Sequence, residues 1–177
     1  GESFPAARLR ETSVIVLGLD IGGANIKAAT SDGACVCRAF PIWQNKTGLL
    51  NELQQLPRLS DSHSDVIALT MTAELADCFE SKAEGVEFIV RTVAEAFPDS
   101  VVRVWTTSGE FFEPDDAIDF SQLVAAANWH CLATWAGRAV PVGPALLIDI
   151  GSTTTDLVPL LHGMPHPQGL TDFQRLA

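Results

Sequence analysis

The chain has 177 residues, 47% hydrophobic and 19% charged, enough for one full core or for one domain and part of another. Eleven Lys and Arg against 22 Asp and Glu leave a formal charge of −11, which argues against nucleic acid or an anionic membrane as the main partner, because both need a basic face. An anionic ligand would have to be held by backbone amides, a few placed cations or a metal.

The longest apolar runs, "ALLIDI" and "VIVLGL", are strand-sized and far below the roughly 18 residues that span a bilayer. The start "GESFPAARLR" has no apolar signal core, so the expectation is a cytoplasmic protein.

Taken in chain order, residues 14–20 are apolar and β-branched at the start, which suits a buried strand. Gly22 and Gly23 predict a tight turn, and "NIKAATSDG" predicts a return strand closed by a turn at Asp32 and Gly33. "ACVCRAFPI" is the third strand of this meander. "KTGLLNELQQL" carries apolar residues at helical spacing, and 65–71 reads as another buried strand. Residues 81–97 form the clearest helix, with Val86, Ile89, Val90, Val93, Ala94 and Phe97 on one face and Pro98 as its stop. A strand is expected at 101–107, a loop at "GEFFEPDDA", and one continuous helix of small residues at 120–136. The Pro- and Gly-rich "GRAVPVGP" then leads into a strand at 145–150 and a return strand ending at Leu161. Later strands joined through helices imply parallel crossovers onto the meander. The fold expected is α/β.

Cys35, Cys37, Cys78 and Cys131 contain no Cys-x-x-Cys pair. Cys35 and Cys37 would share one face of a strand; metal binding there is open, but the expectation is buried reduced thiols. His162 and His166 have a helical metal spacing, yet Gly163 and Pro165 between them rule out a helix, and both are read as loop residues.

The chemistry concentrates in two similar stretches, "VLGLDIGGANIKAAT" and "LLIDIGSTTTDLVPL". In each an apolar strand runs into Asp-Ile-Gly, turns, and returns as a second strand. A glycine turn leaves several amides pointing into one concavity, which binds phosphate oxygens, and Gly22, Gly23 and Gly151 permit close approach of a ligand. Asn25 and the hydroxyls of Ser152, Thr153 and Thr154 add side-chain partners. Asp20 and Asp149, at the strand ends, are candidates to hold Mg²⁺ through its water shell, and Lys27 on the return strand adds a positive charge. A single Asp-x-Gly at a strand end is usually only a turn; the repetition is what points to a two-hairpin phosphate clamp. Both carboxylates should then face one cleft.

These residues carry a resemblance. "GLDIGGANIKAA" and "LLIDIGSTTTDLVPL" look like the first and second phosphate motifs of the actin, sugar-kinase and heat-shock-chaperone ATPase superfamily, whose fold is ribonuclease-H-like. Within it the chain resembles the hydantoinase/oxoprolinase-related group, and it is similar to the family named for the tetrahydromethanopterin-linked one-carbon pathway, related to an archaeal methanofuran-biosynthesis enzyme. "TMTAELADCFESKAEGVEFI", "AAANWHCLATWAG" and "GLTDFQRL" carry that narrower similarity. Asp20, Gly22, Gly23, Asp149, Gly151, Thr153 and Thr154 match the superfamily's phosphate positions, and Lys27 matches the narrower family.

The resemblance implies a first actin-like lobe at 14–120, a connecting helix and linker at 121–144, and the first hairpin of an incomplete second lobe at 145–177. It implies a transferase that condenses an aminomethylfuran diphosphate with an amine or phenol partner, a glutamyl-tyramine for the archaeal relative, using Mg²⁺ and the clamp; ATP is the less favoured ligand. Glu74 and Asp77, at the end of a strand where open α/β sheets place ligand loops, are candidates for substrate or proton handling, with helix-N-terminal charge as the plain alternative. Cys78 is a candidate pocket residue, and Asn128 is expected to satisfy buried backbone. An ATP-dependent kinase, a hydantoinase/oxoprolinase-like amidohydrolase and a non-catalytic phosphate-binding domain remain the alternatives. The partner expected is a phosphorylated small molecule, with a homo-oligomer through the second hairpin also open. Members of the superfamily complete the second lobe, with a nucleoside-contacting motif, beyond the point at which this chain stops.

Overall fold

The computed structural model describes residues 14–56, 64–150 and 155–170. Gly151, Ser152, Thr153 and Thr154, the polar half of the second hairpin turn, lie outside the described residues, as does "TDFQRLA". Among the described residues no helix is long and apolar enough to cross a membrane.

The meander forms as its turns predict: β1 (Val16–Ile21), β2 (Asn25–Thr30) and β3 (Cys35–Ala39) run antiparallel in sequence. Gly33, at φ +98°, supplies the left-handed turn between β2 and β3 that a side chain resists. β4 (Val66–Met71) then pairs parallel with β1, and β5 (Val101–Trp105) parallel with β4. The short β6 (Phe111–Phe112) closes the far edge, giving a six-stranded mixed sheet of order β3-β2-β1-β4-β5-β6.

One face of this sheet is the core. Leu19, Ile21, Ile26, Ile67, Leu69, Met71 and Val104 are buried there with Leu49 and Leu53 of α1 (Leu49–Gln54) and Val86, Ile89, Val90 and Val93 of α2 (Lys82–Ala96). α2 begins where Ser81 Oγ accepts from Glu84 N at 3.2 Å while Glu84 Oε2 accepts from Glu80 N at 2.7 Å, a variant of the capping box. It ends before Pro98, since the residue preceding proline resists the helical conformation. Lys46 Nζ ties this start to the end of β3's loop, donating to Cys78 O at 3.0 Å and to Glu84 Oε1 at 3.3 Å.

Two expectations fail between residues 110 and 137. "GEFFEPDDA" contains β6 and a helix, α3 (Pro114–Asp119), whose Pro114 sits in the first turn beside Asp115 and Asp116. Proline at that position needs no amide partner and acids there suit the helix dipole, so the start signal was present. The continuous helix at 120–136 is instead two: α4 (Ser121–Val124) and α5 (Asn128–Gly137). Between them Ala126 adopts φ +50°, and its amide donates to Glu74 Oε1 at 2.7 Å. A carboxylate 52 residues away in sequence has taken the hydrogen bond that a helix would have made, overriding local propensity.

The second hairpin also forms. β7 (Pro144–Ile150) pairs antiparallel with β8 (Thr155–Leu161), and β9 (Met164–Pro165) adds a third strand to this separate sheet. Val158 and Leu160, with the half-buried Ala145 and Leu147, pack on Trp129 and Ala133 of α5. α5 approaches so closely that a Cβ on Gly137 would lie 2.1 Å from Gly163 O. His162 occupies the turn between β8 and β9 and His166 follows β9, both outside any helix.

Candidate functional site

On the face of the large sheet opposite the core, strand register lines up a row of polar side chains. Asp20 of β1 lies beside Lys27 of β2 and Thr70 of β4, and Lys27 lies beside Cys37 of β3. Lys27 Nζ is 3.1 Å from Asp20 Oδ2, and Thr70 Oγ1 is 3.4 Å from Asp20 Oδ1. Asp20 is largely covered while the lysine side chain is 62% exposed, so the carboxylate is the anchored member and the ammonium the movable one. The hydrogen bond and charge of Asp20 hold the Lys27 ammonium above its ordinary pKa, against the opposing effect of burial, and the fields of Cys37 and Asp149 push the same way.

Asp149 lies on the side of β7 that also carries Ala145 and Leu147, the residues turned to α5. α5 packs on that hairpin and approaches β4; burial raises the thiol of its Cys131, and the charge of Asp20 raises it further against that of Arg138. Asp20 is thus the carboxylate in direct contact with the Lys27 ammonium.

The turn of the first hairpin borders this row. Gly22 N donates to Asn25 O at 2.9 Å, and a Cβ on Gly22 would come within 3.2 Å of that oxygen. Among the described residues no hydrogen bond engages the amides of Gly23 and Ala24, and space around the Gly23 Cα is open. Gly23 also lines a cavity of about 390 Å³ with Trp43, Thr72, Leu75, Ala76 and Asp77. The cavity sits beyond the ends of β1 and β4, where parallel strands of open sheets place their ligands. Asp77 is exposed in its wall.

Other candidates are elsewhere. Glu74 is buried, with 1% of its surface exposed, and its role at Ala126 N is structural; a Cβ on Gly85 of α2 would touch its Cα at 2.7 Å. Cys78 Sγ is half-buried against Ile42 O at 3.9 Å. Asn128 Oδ1 accepts from Trp129 N at 2.8 Å, satisfying backbone as expected. Cys35 and Cys37 are both exposed, contrary to the buried thiols expected, because β3 is an edge strand and they point to its open face. Among the described residues no group of three His, Cys, Asp or Glu side chains is placed to hold a metal ion. Thr70 and Trp43 had no motif to announce them; Thr70 could have been found only from the pairing of β1 with β4.

Residues 65–174 match the family described as hydantoinase/oxoprolinase. The chain is also similar to the (4-{4-[2-(gamma-L-glutamylamino)ethyl]phenoxymethyl}furan-2-yl)methanamine synthase of Methanocaldococcus jannaschii, 37% identical over 150 residues, which is 83% of this chain and 44% of the relative. The chain thus spans less than half the length of that curated relative.

Proposed function

Because the chain belongs to the hydantoinase/oxoprolinase family, we propose that it binds the phosphate-bearing end of a small-molecule substrate between its two Asp-ended hairpins and serves a transferase step of cofactor biosynthesis. The name of the Methanocaldococcus jannaschii relative supports a reaction in which a furan-bearing fragment is joined to a phenol oxygen. In such a step diphosphate leaves with the electrons of its C–O bond, the incoming nucleophile bonds to the carbon and loses its proton, and the site must stabilise negative charge on the leaving group. In this reading the amides of Gly23 and Ala24 and the ammonium of Lys27 do so, and Asp77, in the wall of the adjoining cavity, takes the proton.

Mg²⁺ suits this donor set. The ion needs only one or two protein carboxylates when waters and substrate phosphates complete its shell, and Asp20 already holds a cation in the form of Lys27 Nζ at 3.1 Å. Asp20 and Asp149 would hold the ion, which when bound neutralises the departing diphosphate. The sheet order β3-β2-β1-β4-β5 with an antiparallel meander supports a ribonuclease-H-like lobe, with the β7–β8 hairpin as the start of a second.

The observation that carries the proposal is the Lys27 ammonium held on Asp20 at 3.1 Å, next to a hairpin turn whose Gly23 and Ala24 amides are open among the described residues. Calorimetry with inorganic diphosphate, ADP and Mg²⁺ tests it. Diphosphate should bind in the presence of Mg²⁺ with no gain from the adenosine of ADP. A clear preference for ADP would favour the kinase or amidohydrolase alternative, and no binding of either would overturn the clamp.

A further inference from the structure

Lys27 stands where a metal would stand. Its pairing with Asp20 is set by the register of β1 and β2, so the ammonium is returned to that carboxylate whenever nothing else claims it. Yet the pair is easily opened. The lysine side chain is 62% exposed, exposed ion pairs are weakly bound, and a flexible stem with three rotatable donors lets the charge swing without moving the backbone. The anchored partner is Asp20, whose other oxygen has Thr70 Oγ1 at 3.4 Å.

The Lys27 ammonium rests on Asp20, and the proposed clamp adds Asp149 as a second carboxylate. A divalent cation entering alone must evict Lys27 and leave that ammonium beside it, a like-charge juxtaposition. A phosphate group entering alone meets the two carboxylates, but it also gives Lys27 a new partner. Asn25 lies on the same side of β2 as Lys27 and two residues nearer the Gly22 and Gly23 turn, so the ammonium can move toward the turn along its own strand.

We propose that Lys27 is an exchangeable stand-in cation: it occupies Asp20 until a phosphate-bearing ligand draws its ammonium toward the first hairpin turn, and a divalent ion then takes the vacated carboxylate. Metal and phosphate accordingly bind together more readily than either does alone, and Lys27 is the positioning residue that couples them. This rests on the clamp described under the proposed function and adds an order of events to it.

The test compares the wild-type chain with Lys27→Met, which keeps the apolar stem and removes the charge, and with Asp20→Asn as the control. Thermal unfolding first establishes that all three fold. Calorimetry with Mg²⁺ alone should show binding at least tenfold tighter to Lys27→Met than to wild type, while inorganic diphosphate binds the variant more weakly. Asp20→Asn should lose the metal in either setting. Unchanged or weaker Mg²⁺ binding in Lys27→Met, with diphosphate binding retained by the wild type, overturns the exchange and leaves the clamp standing. Failure of all three proteins to bind either probe overturns the clamp, and the exchange with it.

Discussion

Asp20 and Asp149 sit at matching places in two hairpins, yet their surroundings differ. Asp20 has two side-chain partners and little exposure, whereas Asp149 is exposed and lies opposite Asp156 across the β7–β8 ladder. Like charges opposite one another across strands repel, so the charge of Asp149 is not needed to hold the hairpin. Asp149→Asn should therefore keep the fold and weaken Mg²⁺-dependent diphosphate binding by about 1.5–3 kcal/mol, the range for hydrogen bonds to charged groups, or roughly ten- to a hundredfold in Kd. Unchanged affinity in calorimetry would remove Asp149 from the site. A second residue-scale expectation concerns His130, buried between Trp105 and Trp129, where burial pushes the imidazole below its ordinary value of 6.5. The unfolded chain then binds more protons than the folded one as pH falls below 6.5, so stability is full above that value and is lost as pH drops through the lowered folded value. Urea midpoints at pH 7.5 and 5 should fall together more closely in His130→Gln than in the wild type; equal losses would mean that other groups carry the acid sensitivity.

Among the elements, α5 connects the two sheets. Its Trp129 and Ala133 pack on Val158 and Leu160 of β8, and it approaches β4 of the large sheet. The placement depends on two close contacts. At the start Glu74 Oε1 holds Ala126 N and turns the chain out of α4. At the end Gly137 lies against the backbone of Gly163, where an added methyl cannot be accommodated by a flexible side chain moving aside. Gly137→Ala should destabilise the chain by about 1–3 kcal/mol, as overpacking does, and shift the β7–β8 sheet away from β1. Denaturant unfolding checks the first and diphosphate binding the second. A variant with wild-type stability would show that α5 does not meet the 162–163 turn so tightly.

For the molecule as a whole, the second sheet is covered on one side only among the described residues. Its inner side packs on α5, while Leu146, Ile148, Ile150 and Leu157 on the outer side are 53–76% exposed. Adjacent exposed apolar residues of this kind mark interaction surfaces, and a small sheet with one uncovered side gains by covering it. The 177-residue chain should accordingly self-associate with rising concentration, and the double substitution Ile148→Lys with Leu157→Lys should abolish that association while leaving diphosphate binding intact. Light scattering reads the outcome directly; a monodisperse wild-type monomer at high concentration would mean the outer side is tolerated uncovered.

Local patterns in the sequence were sufficient for the meander, the capped helix at Lys82–Ala96, the parallel crossovers and both Asp-ended hairpins, because turn glycines, period-two burial and helix caps act over a few residues. The same locality made Asp20, Gly22, Gly23, Lys27 and Asp149 legible as candidates. What depended on distant parts of the chain was not legible. The break at Ala126 is made by Glu74, so small residues with good helix propensity gave no sign of it, and the burial of that carboxylate removed it from the cavity where its neighbour Asp77 remains. Cys35 and Cys37 looked buried because their strand is apolar, but strand order put β3 at an edge. The pairing of Lys27 with Asp20 and the hydroxyl of Thr70 beside them arise from strand register. Local sequence can name the charges that a site uses; only the packed chain decides which of them share a field, because that depends on distances between segments far apart in the chain.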